Sequence, residues 1–132
     1  DQALTGHEDV RADRYGLAQL LLSLGDSSAL EHLRRGYLEG SLVCGIKLGL
    51  ELKRNGQWEK AVDLWQNMAD LHNDVRAAVE LSKYYEHRVR DYTSAIDSLT
   101  PFLKSDLKRL PSFKNNLLVR IGRLRRKLAA QR

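Results

Sequence analysis

Gly56-Gln57-Trp58-Glu59-Lys60-Ala61 and Arg90-Asp91-Tyr92-Thr93-Ser94-Ala95 decide the fold. In each, a turn residue is followed two positions later by an aromatic and three beyond that by alanine. Trp58 and Tyr92 lie 34 residues apart, and so do Ala61 and Ala95. The segments ahead of them align as well, Leu48-Gly49 with Leu81-Ser82 and Leu52 with Tyr85, at a spacing of 33 residues. Self-similarity at this period marks a supersecondary unit that cannot bury its apolar face alone and stacks on its neighbour.

Working outward, apolar residues at spacings of three and four predict helices on both sides of each turn. A first helix is expected from about Asp9 to Leu24, with Tyr15, Leu17, Leu20, Leu21 and Leu24 as its stripe. Gly25-Asp26 ends it, and Ser27 or Ser28 caps a second helix through Tyr37. The third runs from Leu42 to Arg54, stopped by Asn55-Gly56, and the fourth from Gln57 to His72. Its buried side is Trp58, Ala61, Val62, Leu64, Trp65 and Met68. Asn73-Asp74 breaks and recaps the chain ahead of a fifth helix, Val75 to His87, and a sixth, Tyr92 to Leu103. Beyond a polar linker from Ser105 to Pro111, a seventh covers Ser112 to Ala130. Short connections between helices imply antiparallel neighbours. The expectation is an all-α fold of about seven helices in one repeat domain. It comprises a degenerate hairpin (9–38), a central repeat (41–72), a second repeat (74–103) and a basic amphipathic capping helix (112–130).

Composition agrees. Of 132 residues, 42% are apolar and 30% charged, too apolar for a disordered chain. The two prolines, Pro101 and Pro111, both fall late, leaving a long stretch rich in helix formers. Cys44, the single cysteine, sits in Leu42-Val43-Cys44-Gly45-Ile46 and reads as a small buried residue. One cysteine forms no internal disulfide, which favours a reducing, cytoplasmic setting. No apolar run reaches the ~18 residues of a membrane span. A start at Asp1-Gln2-Ala3, without an initiator Met, leads us to expect that a longer protein was cut, or a propeptide or tag removed.

The central repeat resembles the tetratricopeptide family at Leu48, Gly49, Leu52, Gly56, Trp58 and Ala61, with Trp65 four residues further on. The resemblance implies a right-handed stack of antiparallel hairpins, with small residues where helices approach closely. The second copy departs from it at Ser82, which replaces the glycine, and at Glu86-His87-Arg88-Val89-Arg90, one residue longer than the standard turn. In this family the first helix of each pair lines a peptide groove. Carried over, the groove holds Lys47, Leu50, Lys53 and Arg54, then Arg76, Glu80, Lys83 and His87. Such a basic groove suits an acidic peptide or a carboxylate terminus. The stretch Glu80 to Tyr92 also looks like the helical tail of bacterial proteins whose front half is a ribonuclease H-like exonuclease domain. In those nucleases an Asp opening the last helix helps hold a metal ion, which implies a 3'-5' exonuclease parent. Asp9 follows His7-Glu8 and Asp13 follows Arg11-Ala12, so two registers are open, and the expected His-Asn pair is missing.

Within the chain itself no chemistry is expected. A two-metal nuclease needs several carboxylates converging on ions ~4 Å apart. Asp9 and Asp13, one helical turn apart, also read as acids at a helix N-terminus. His7, His32, His72 and His87 are scattered without metal-ligand spacing, and no phosphate loop or nucleophile elbow is present. We expect no cofactor and no metal. Trp58, Trp65, Tyr84, Tyr85 and Tyr92 read as core, with Tyr84, ~100° around the helix from Tyr85, a candidate for exposure.

Charge is the strongest signal beyond fold. Residues 104–132 hold ten basic residues against Asp106 alone, a net of +9, while residues 1–103 carry −4. Leu117, Ile121, Leu124 and Leu128 form an apolar stripe on the last helix. Arg120, Arg123 and Lys127 share one flank, with Arg125 and Arg126 projecting elsewhere. Three readings stand side by side: a capping helix with a solvated basic face, a phosphate-backbone contact, and an intramolecular or partner acidic surface. The expected partners are a protein, a peptide or a nucleic acid, and not a membrane, since the apolar stripe lacks aromatics. The overall expectation is a non-catalytic interaction module.

Overall fold

In the computed structural model, which describes residues 14–104 and 111–131, the chain is all-helical. The helices are α1 (residues 14–23), α2 (Ala29–Leu38), α3 (Leu42–Arg54), α4 (Trp58–His72), α5 (Val75–Tyr84), α6 (Tyr92–Lys104) and α7 (Pro111–Ala130). Among the described residues there is no strand, and no helix is long and apolar enough to cross a membrane. The chain forms two compact units, Asp1–Leu64 and Trp65–Arg132, with the boundary inside α4.

In the first unit α2 packs on α3. Gly36 makes the approach possible, because a Cβ there would run into Cys44 Sγ. Cys44 is fully buried beside Leu48 and Leu52 of the same helix face. The apolar stripe expected on α1 is corrected. Leu17, Leu20 and Leu24 are exposed, and the inward face is Ala18 with half-buried Leu21 and Leu22. A helix that packs through a small residue brings its backbone close and turns its leucines outward. The capping expected of Ser27 or Ser28 also changes hands. Ser28 makes no capping bond; its N–H and hydroxyl donate to Asp26 Oδ1 at 2.9 and 2.8 Å.

In the second unit α5 packs on α6, and α6 on α7. Asp74 caps α5, accepting from the N–H groups of Arg76 and Ala77, while Asp91 caps α6 through Ser94. Ser82, which stands where the central repeat has Gly49, is fully buried, and its hydroxyl donates to the Ala95 carbonyl at 2.9 Å. That bond satisfies the extra polar atom and ties α5 to α6 at the close-approach point. On α7 the leucine stripe is the docking face, with Leu117, Ile121 and Leu124 buried and Leu128 half-buried.

The fifth helix does not continue to His87 as expected. After Tyr84 it widens into a π turn, Tyr85–Val89, and ends at Arg90 in the left-handed region with φ 60°. The reason is the extra residue. After α3, the Gln57 N–H reaches back five residues to the Leu52 carbonyl at 2.8 Å, with Gly56 at φ 78°. At the aligned position Asp91 N–H reaches back six residues to Tyr85, at 2.9 Å. The ending is the same in kind, with one residue more inside it.

Candidate acidic-partner interface

The π turn matters because it carries Glu86 into the second unit. The Glu86 side chain is fully buried, and three cations of α7 converge on it. Arg123 Nη2 donates to Oε1 at 2.8 Å and Lys127 Nζ donates to Oε2 at 2.6 Å. Arg120 Nη1 stands 3.6 Å from Oε1, and His87 Nε2 is 3.4 Å away. The Lys127 ammonium also lies 5.8 Å from the centre of the Tyr92 ring. Burial pushes the Glu86 carboxyl up, but the hydrogen bonds from Lys127 and Arg123 outweigh it, and the group sits below its ordinary value.

Of the five cations singled out on α7, the structure therefore brings Arg120, Arg123 and Lys127 together. Arg125 and Arg126 stay exposed, as does Lys114. α7 holds six cations and no acidic residue. Among the described residues Glu86 is the carboxylate that faces them, and it answers one of those charges.

The charged residues assigned to a groove each have a neighbour already, while Leu50 is exposed. In the first unit Lys47 and Arg54 lie 3.5 and 3.6 Å from the buried carboxylate of Glu51. Lys53 Nζ lies 6.0 Å from the centre of the Trp58 ring. In the second unit Arg76 pairs with Asp74 at 2.8 Å, Lys83 with Glu80 at 3.2 Å, and His87 approaches Glu86. Tyr84 is half-buried, its ring edge-on to Tyr85 at 5.3 Å between centres. Asp9, Asp13 and His7 fall outside the described residues. Among the described residues no group of three His, Cys, Asp or Glu side chains is placed to hold a metal ion.

Glu86 is the residue that sequence reasoning passed over, as a polar helix end. Its signal was the shift of the repeat spacing from 33 to 34, which marks a local change in backbone winding. Nothing local to Glu86 points to partners 37 and 41 positions away.

α5 and α7 also border an open groove of about 420 Å³, lined by Val79 on α5 and by Asn116, Leu117, Val119, Arg120 and Arg123 on α7. Among the described residues its lining is half aliphatic, Val79, Leu117 and Val119, and half polar, and its cations are two of the three that face Glu86.

No protein-family model matches the chain. It is similar to the uncharacterized protein YprB of Bacillus subtilis strain 168, at 29% identity over 104 residues. Those residues cover 76% of this chain and 25% of that protein. The chain spans about a quarter of the length of the curated relative it matches.

Proposed function

We propose that this chain is a non-catalytic, tetratricopeptide-like interaction module, the tail of a larger nuclease-like protein, that engages an acidic partner through the outward cations of α7. The observation that carries this reading is the imbalance on α7: six cations and no acid in its sequence, and, among the described residues, one carboxylate, Glu86, facing the helix from within the unit. The five positive charges left over favour a polyanion, whether nucleic acid or an acidic protein surface. The correspondence of the endings at Gly56 and Arg90 supports the repeat assignment, and the greater length of the relative supports a larger parent.

The test uses cations that do not hold Glu86. Labelled single- and double-stranded nucleic acid and polyglutamate are titrated by fluorescence anisotropy at two salt concentrations. Binding that weakens with salt, and falls about tenfold or more when Lys114, Arg125 and Arg126 become Glu, is the expected result. Affinity unchanged in that triple variant, or no binding at low salt, refutes the reading.

A further inference from the structure

The leucines that α1 turns outward are not scattered. Leu17, Leu20 and Leu24 are 42%, 56% and 71% exposed and recur at spacings of three and four. That is the a–d–a register of a helix-pairing seam, about two turns long. Among the described residues no other helix shows three exposed apolar side chains in this register. The outermost helices of a stack ordinarily present a polar face to water. α7, the last helix, does so with its cations, whereas α1, the first one described, presents leucines.

What borders the seam decides what can cover it. At the e and g positions, where charges select or reject a partner helix, stand Gly16, Leu21 and Ser23, all uncharged. Arg14, at the preceding e position and the one charged residue of α1, is ion-paired with Glu39 just past the end of α2. The Ser23 hydroxyl donates to the Leu20 carbonyl at 2.6 Å, and the Gln19 amide donates to the Tyr15 hydroxyl at 2.8 Å. Covering the seam therefore strands neither a charge nor these polar groups. Gly16 adds room at one end. A Cβ there would meet no described atom within 4 Å, so a second helix can approach as closely as α3 approaches α2 at Gly36.

We propose that the outward face of α1 is a self-association surface, on which a second copy of this chain docks its own α1 in an isologous pair, Leu17, Leu20 and Leu24 of both copies facing one another. A second copy is the occupant these observations select. An uncharged seam neither attracts a charged helix nor repels its own image, and another α1 carries the matching register. With a net charge of +5, copies repel one another over the rest of their surface, which leaves a neutral apolar face as the place of contact. A seam this short buries less than the ~1,200 Å² of a stable interface, so the pair is weak, with a dissociation constant on the order of 100 µM. The proposal does not depend on the role proposed for α7.

Sedimentation velocity of the full chain, from about 10 µM to about 1 mM and at two salt concentrations, tests this. The average mass should climb from one chain toward two across that range. Apolar contact does not weaken as salt rises, so the association should persist at the higher concentration, unlike one made through the α7 cations. Leu20→Asp changes an exposed side chain and sets like charges against each other across the pair. That variant should stay monomeric throughout, with an unchanged helical circular dichroism spectrum. Leu24→Ser, which introduces no charge, should weaken the pair about tenfold. Val119→Asp, at an exposed position on α7, should associate as the natural protein does. A chain that remains monomeric at about 1 mM overturns the proposal, as does a dimer unaffected by both α1 substitutions or one that the higher salt dissolves.

Discussion

At the scale of single residues, the two aligned helix ends form a natural experiment. Gly56 and Arg90 occupy the same place after their helices, both at positive φ, at 78° and 60°. Glycine adopts this conformation freely, while a side chain there crowds the following carbonyl, at a cost of roughly 1–2 kcal/mol. Arg90 is exposed, and no ion pair for it is seen among the described residues. Replacing Arg90 with Gly should therefore stabilise the protein by about 1 kcal/mol, read as a higher urea midpoint with unchanged slope. A lower midpoint would mean that the Arg90 side chain contributes more than its backbone strain costs. The sequence shows that glycine is missing from this turn, but not that the left-handed conformation survives without it.

Helical elements were legible wherever local chemistry sets their ends. α3 runs from Leu42 to Arg54 as its spacing predicts, and Asp74 caps α5 where Asn73-Asp74 implied a break. The face of α1 was not legible, because Ala18 and the leucines beside it are both apolar and only packing decides between them. The Glu86 cluster is the element-scale feature with the largest energetic consequence. Its cations are partly exposed and can return to water, whereas the carboxylate cannot. Removing Arg123 and Lys127 together, as methionines, should cost about 3–5 kcal/mol by stranding a buried charge. Glu86→Gln, which leaves the cations free to swing out, should cost less; the reverse order would refute this account. The sign of the pH effect follows from the depressed carboxyl. The folded state binds the proton more weakly than the unfolded one, so the stabilisation is present above the ordinary value of 4.5 and is lost as pH falls through the folded value. Urea midpoints measured from about pH 6 down to about pH 3 should fall steeply in the natural protein and less steeply in Glu86→Gln. Asp26 and Asp91, also depressed by hydrogen bonds from Ser28 and Ser94, keep a residual slope in both.

For the whole molecule, the lopsided charge was plain in the sequence, −4 ahead of residue 104 and +9 after it, but its internal settlement was not. Half of the α7 cations turn out to face a carboxylate of the same unit, and this divides the helix into a structural flank and an outward one. The structural flank works together with the leucine stripe. Burying Leu117, Ile121 and Leu124 contributes about 1.5–3 kcal/mol each, which is large against the 5–15 kcal/mol that separates most folded domains from their unfolded chains. α7 is therefore a constituent of the second unit and not an appendage to it. Leu124→Asp places a charge at a fully buried position and should detach α7, stranding Glu86 at the same time. Hydrogen exchange should then show α5, the π turn and α6 losing protection together, since these elements pack on one another and α6 packs on α7. Leu118→Asp, one turn-flank away at an exposed position, should leave protection unchanged. If Leu124→Asp keeps wild-type protection across α5 and α6, then α7 is an independent arm, and its cations must be understood without Glu86.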